Sequence, residues 1–350
     1  MMAARNIFSR PSIAGIKPNI VFDSYWRFAA ERQAVFFRRL ESASGPWSTD
    51  PVIAQYKFTN AYRASDRVSQ YLIRNVIYRG ERSVEEMFFR IVLFKLFNRI
   101  ETWELLTRSL GEVRYSDYSF SRFSRVLSKA KQFGQKIYSA AYIMPSGKSS
   151  FGFCEKHKNN LRLIELLMRE DVPQRIVDSR SMKDAYEILR SYPTLGKFLG
   201  YQFITDINYS NLTSFDEMEF VVPGPGAIDG VQKCFGVSQI DQVSDVIKMV
   251  ADNQEYEFSR RGLNFKSLWG RRLQLIDCQN LFCELAKYAR ITHPQFPGVT
   301  GRTRIKQQFS PNAEKFDLFF PPKWGLNEKI GKAFQFKQGG ASSLPREVFQ

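Results

Sequence analysis

Tyr192-Pro193-Thr194-Leu195-Gly196-Lys197-Phe198-Leu199-Gly200-Tyr201 sets one proline and two glycines between two helical patterns, 181–191 before and 199–205 after. The spacing predicts two helices joined by a tight turn. Glycine at 196 is expected to permit close approach of the two backbones. The start of the second helix offers unpaired N–H groups and partial positive charge to a phosphate. Gly196, Lys197 and Gly200 are therefore candidate DNA-backbone contacts. Glycine-containing joints also serve as plain connections, so the residues beyond the turn carry the argument.

Those residues are Asp206-Ile207-Asn208-Tyr209-Ser210, then Phe215-Asp216-Glu217-Met218-Glu219-Phe220, then Val222-Pro223-Gly224-Pro225-Gly226-Ala227. A carboxylate held beside a DNA-binding hairpin can stabilise a developing sugar cation or position a water. Asp216, Asp206 and Glu219 are the catalytic candidates, and Asn208 and Tyr209 the adjoining substrate contacts. Glu217 reads as a solvated loop residue.

Outward from here the pattern stays helical. Asp23 or Ser24 can cap a run to Leu40 with Trp26, Ala29, Phe36 and Phe37 on one broad face. Ser83-Val84-Glu85-Glu86 is a capping box opening a helix with Phe88, Ile91, Val92, Phe94 and Leu96. Further helices are expected at 64–78, 101–110, 118–133, 155–169, 226–235, 239–256 and 273–290, with minor β pieces at 136–144, 302–309 and 315–320. Gly45-Pro46, Pro145-Ser146-Gly147, Pro297-Gly298 and Pro321-Pro322 punctuate them.

The 350 residues carry 51 Lys+Arg against 35 Asp+Glu, a net charge of +16, with 43% apolar residues. That excludes a disordered or low-complexity chain. The apolar runs are broken by charge, as at Arg90 and Lys95, and none reaches a membrane span of roughly 18 residues. The first residues lack an apolar signal core, so a soluble, cytoplasmic protein with no membrane partner is expected. Four cysteines make no disulfide framework. The charge is uneven: 206–258 holds 10 Asp/Glu and only Lys233 and Lys248, whereas 260–350 holds 16 Lys/Arg and 6 Asp/Glu. Carboxylates set into a basic surface suit a polyanion, and nucleic acid is the expected partner.

Other constellations support a DNA site. Arg63 and Arg67, one helical turn apart, suit an anionic leaving group, and pairing with Asp66 or Glu86 is the plain alternative. Asp277, Asn280 and Glu284 share a helix face by spacing and can line a polar pocket. Asn280 offers a donor and an acceptor to a pyrimidine edge, or to a neighbouring helix. Arg302, Arg304 and Lys306 alternate along Gly301–Lys306 as on a ribbon facing phosphates. His157 and His293 stand 136 residues apart without a nearby cysteine, so no metal or cofactor is expected, and Lys156-His157-Lys158 reads as surface.

Tyr192 to Gly200 resembles the helix-hairpin-helix of the DNA glycosylase superfamily, Leu-Pro-Gly-Val-Gly-Arg-Lys-Thr-Ala, with Tyr192 for Leu and Thr194 for the first Gly. The resemblance implies a catalytic Asp eighteen residues after the position of Phe198, at Asp216. Phe198 stands where bifunctional members place their Schiff-base lysine, which implies a monofunctional mechanism. The superfamily's four-cysteine iron–sulfur loop is absent, since Cys154, Cys234, Cys278 and Cys283 lie far apart.

A longer resemblance, over about 50–325, runs through Tyr56-Lys57-Phe58-Thr59-Asn60, Asp66–Ile73, Phe97-Asn98, Glu101-Thr102-Trp103-Glu104, Asp206–Ser210, Val222–Ala227 and Leu275–Asn280. This set is similar to the α-glutamyl/putrescinyl-thymine pyrophosphorylase group, also the helical domain of 5-hydroxymethyluracil DNA kinases. Such proteins build, edit or attack hypermodified pyrimidines in phage and bacterial systems. Some relatives carry a P-loop; here Pro145-Ser146-Gly147-Lys148-Ser149 lacks it, because Tyr142 stands where the first Gly is required. Kinase activity of this chain itself is not expected.

The combined expectation is a mainly α protein, a helix-hairpin-helix glycosylase-like helical fold with minor β ribbon elements. Its parts are a helical extension (1–45), a helical catalytic domain (46–325, divisible near 145–155) and a basic tail (326–350). The expected function is flipping and monofunctional excision of a modified pyrimidine from double-stranded DNA, in phage defence or phage DNA modification. The alternative is a transferase that replaces pyrophosphate on a 5-hydroxymethyluracil derivative with an amino acid or polyamine. A non-catalytic reader of modified DNA ranks third.

Overall fold

The computed structural model describes residues 16–42, 44–310 and 317–331. Its longer helices are α1 (Ile20–Glu41), α2 (Val84–Phe97), α3 (Ile100–Leu110), α4 (Phe120–Gln132), α5 (Lys156–Arg169), α6 (Met182–Arg190), α7 (Lys197–Ile207), α8 (Pro225–Phe235), α9 (Ile240–Asp252) and α10 (Leu275–Thr292). The chain is mainly helical, and no described helix is long and apolar enough to cross a membrane.

α2 is the centre. Ser83 caps it by accepting from the Glu86 N–H, and Asn98 ends it in the left-handed region at φ 47°. Every residue from Glu86 to Phe97 is buried, the pattern of a helix surrounded on all sides. Three of those residues, Glu86, Arg90 and Lys95, carry charge that must find partners, and Glu86 accepts from the Tyr115 and Ser116 N–H groups. Arg90 donates to the carbonyls of Val76 and Glu81. Lys95 reaches across to α7.

α1 packs on α8 and α10, with Tyr25 and Trp26 fully buried. α8 lies against α10 so closely that a Cβ on Gly230 would meet the Phe282 carbonyl oxygen at 2.1 Å, and one on Gly226 the Cys283 sulfur at 2.2 Å. Gly230→Ala must push backbone apart, because the obstacle is a carbonyl and no side chain can turn aside. A loss of about 1–3 kcal/mol is expected, read by denaturant unfolding.

The two helices expected on either side of 192–198 form and pack together as α6 and α7. The turn between them works differently from the expectation. Gly196 has φ −66° and open space where a Cβ would sit, so it brings no backbones together. The close approach is at Gly200, whose Cβ position lies 3.3 Å from the Tyr186 ring. The left-handed residue is Thr194, φ 69°, which stands where the hairpin pattern has its first glycine.

The expected β ribbon does not form among the described residues. Residues 136–144 are turn and coil, and 302–309 make one isolated antiparallel bridge, Gln308 to Tyr56. Pairing stops there because its partner segment is the end of the short helix Pro51–Gln55. Residues 311–316 and 332–350, which include part of the expected strand 315–320 and most of the basic tail, lie outside the described residues.

His157, expected at the surface, is buried on α5 and its Nε2 lies 2.8 Å from Ser128 Oγ on α4. The helix turns it inward while Lys156 and Lys158 flank it. Burial lowers its pKa to about 4, from an unfolded value near 6.5. The neutral ring's contribution is present above the unfolded pKa and is lost as pH falls from about 6.5 through about 4. Unfolding curves across that window are expected to show this loss, and His157→Gln to flatten it.

Candidate active site

The centre forms where three chain segments meet. The short turn Arg63–Ser65 presents Arg63, α2 presents Lys95, and α7 presents Asp206. Arg63 Nη1 donates to Asp206 Oδ1 at 2.6 Å, and Lys95 Nζ lies 2.7 Å from Asp206 Oδ2. All three side chains are 2% exposed. Arg63 Nη1 also donates to Tyr209 Oη at 3.0 Å, and its Nε is buried without a partner. The three side chains alone sum to one positive charge, and the buried Asp277 carboxyl stands beside Arg63.

Burial alone would raise the Asp206 carboxyl, but Arg63 and Lys95 outweigh it and hold the group below the usual carboxylate range. Burial dominates at Lys95, lowering its pKa to about 8 against the pull of Asp206. Burial would also weaken the Arg63 charge, yet Asp206 keeps it firmly protonated. Two aromatic rings enclose the cations. Tyr142 lies over Lys95 Nζ at 4.0 Å and 5.7 Å from Arg63 Cζ, and the Tyr209 ring lies 5.5 Å from Arg63 Cζ.

A further layer fixes Arg63. Its backbone N–H donates to Asp277 Oδ1 at 2.8 Å, and Asp277 Oδ2 accepts from Gln274 N at the start of α10. One and two turns along, Asn280 is half-buried and Glu284 accepts from the Thr59 N–H. Asp277 and Glu284 thus fasten the 59–63 segment to α10. Asn208, a substrate contact by sequence, spends its side chain on Phe215 and Thr213, pinning the chain beyond α7.

The remaining candidates stand apart from this centre. Arg67 is exposed, although only one turn from Arg63. Asp216 is exposed and accepts from the Met218 N–H in a local turn. Glu219 is exposed beside Asp241 and Lys248 in a shallow surface depression. Glu217, expected in solvent, is half-buried and paired with Arg271 at 2.6 Å. Gly196, Lys197, Arg302, Arg304 and Lys306 are all exposed, and Gly200 is buried. Sequence reasoning noticed Lys95 only as a break in an apolar run and Tyr142 only as a flaw in a P-loop. The available signal was a lysine within a helix apolar all round, which requires a buried partner.

The arrangement defines a helical protein with a buried Arg63–Asp206–Lys95 centre walled by Tyr142 and Tyr209. The chain belongs to the family described as 5-hmdU DNA kinase, helical domain, whose model matches residues 19–298. A 5-hmdU DNA kinase of Bacillus phage SP10 is 26% identical over 288 residues, 77% of this chain and 45% of that protein. The chain thus spans less than half the length of this relative. No solved structure matches it.

These matches overturn base excision as the expected activity. The family and the relative are named for transfer of phosphate, not for hydrolysis of a glycosidic bond. The geometry also removes the basis of the spacing argument: Asp216 is exposed, tied into a surface turn through the Met218 N–H, and stands apart from the buried Asp206.

Proposed function

We propose that the chain catalyses group transfer on 5-hydroxymethyluracil-derived bases in DNA, replacing a pyrophosphate on the hydroxymethyl carbon with an amino acid or polyamine. The observation that carries this reading is the convergence of Arg63 and Lys95 on Asp206, three buried side chains that alone sum to one positive charge. An incoming pyrophosphate takes over the two cations. Asp206, released from them, accepts the proton of the amine as the new C–N bond forms and the C–O bond to pyrophosphate breaks. The departing oxygen leaves as the pyrophosphate anion, stabilised where its charge develops. A base inside a duplex cannot reach so buried a centre, so the substrate nucleotide turns out of the stack. Exposed Lys197, Arg302, Arg304 and Lys306 supply phosphate contacts for the flanking DNA.

The test is to incubate the full chain with a duplex bearing pyrophosphorylated 5-hydroxymethyluracil and an amine, then digest it and weigh the nucleosides. A nucleoside heavier by the amine, with free pyrophosphate, is the expected product; unchanged nucleosides overturn the reading. A second reading follows from the name of the phage relative: the helical part presents 5-hydroxymethyluracil for phosphorylation. It predicts instead a nucleoside gaining phosphate when ATP and unphosphorylated DNA are supplied.

A further inference from the structure

Gln202 sits on α7 one turn before Asp206 and one turn after Phe198, on the same face. It is 0% exposed, yet neither Nε2 nor Oε1 has a hydrogen-bond partner. A buried primary amide with both ends unmatched costs stability, and native proteins keep few of them. Near this face stands the Tyr142 ring. It lies parallel to Phe198 with an interplanar angle of 17° and centroids 6.0 Å apart, and it reaches on to Lys95 at 4.0 Å. The ring thus touches Phe198, one turn before Gln202, and Lys95, the partner of Asp206 one turn after Gln202. Tyr142 holds this position with φ 53°, a left-handed backbone that a bulky residue adopts only under constraint.

A flat ring, a neighbouring anion-binding centre and an idle donor–acceptor pair are the requirements of a pyrimidine site. Resting on the transfer reading above, we infer that a pyrimidine turned out of DNA replaces the Tyr142 ring on Phe198 and that Gln202 reads its base-pairing edge. For a uracil ring, Nε2 donates to a ring carbonyl oxygen and Oε1 accepts from N3–H. The ring's 5-substituent then points along α7 toward Asp206, Lys95 and Arg63. Gln202 is a specificity residue in this arrangement and takes no part in bond making.

The inference is tested by binding, which needs no leaving group. Duplexes carrying a single 5-hydroxymethyluracil, 5-hydroxymethylcytosine or thymine are titrated with the full chain, and fluorescence anisotropy gives the preference. The wild type is expected to favour 5-hydroxymethyluracil over 5-hydroxymethylcytosine. Gln202→Glu, with acceptors only, is expected to weaken the uracil ring about tenfold or more and to shift preference to the cytosine amino group. Gln202→Met is expected to erase the preference while raising the melting temperature, since it removes an unmatched buried amide. A wild type without preference, a preference unmoved in Gln202→Glu, or a lowered melting temperature in Gln202→Met would each overturn the inference. A shifted preference without any amine adduct would sink the transfer reading alone, and an adduct with an unshifted preference would sink this one alone.

Discussion

Asp206→Asn is expected to abolish transfer and to cost about 3–5 kcal/mol of folding stability, because it strands two buried cations around a neutral amide. Arg63 and Lys95 each lose their charged partner, and at 2% exposure water cannot replace it. Denaturant unfolding reads the cost, and nucleoside mass spectrometry reads the activity. The double variant Asp206→Asn with Lys95→Met removes one stranded charge and is expected to recover part of the stability but none of the transfer. Equal stability of the single variant and the wild type would show that the charges are not held as described.

The second large effect is on pH. Lys95 has its pKa lowered to about 8 by burial, so it is cationic at pH 7 and loses its proton as pH rises through about 8. A neutral Lys95 gives up its share of the leaving group, and the transfer rate is expected to fall above that pH. For folding the sign is opposite. Between about 8 and the ordinary lysine value the unfolded chain holds more protons at this group, so this site's contribution to stability rises with pH. Activity and stability should therefore diverge across that window. In Lys95→Met the rate is expected to be about a hundredfold lower at pH 7, with the alkaline fall removed. A wild-type rate flat from pH 7 to 9.5 would contradict the assignment of Lys95.

Much of this fold was legible in the sequence, because helical periodicity and caps are local. Ser83 capping α2 and the Pro-Gly break before α8 are written in neighbouring residues and appear where expected, but Glu86 turns to the Tyr115 and Ser116 N–H groups and leaves the expected capping box half formed. The expectation of a ribbon at 302–309 failed because a strand needs a partner, and only distant parts of the chain determine one. Similarly, Arg63 and Asp206 were both legible as candidates, but their contact joins residues 143 positions apart. Arg67 was grouped with Arg63 by spacing, yet the chain leaves its tight turn at Ser65 and turns Arg67 to the surface. Asp216 was reached by counting from a hairpin, a ruler that fails when Asn208 pins the intervening chain against Thr213 and Phe215. Lys95 and Gln202 were passed over for a common reason: each lies in an apolar helix, where sequence shows an interruption but not the partner that burial demands.

The most direct test of the cationic centre is calorimetric titration of the full chain with inorganic pyrophosphate at pH 7, in wild type and in Lys95→Met. Saturable binding in the wild type, weakened about tenfold or more in the variant, is the expected result. The same affinity in both proteins would mean that the anion sits elsewhere and would contradict the assignment.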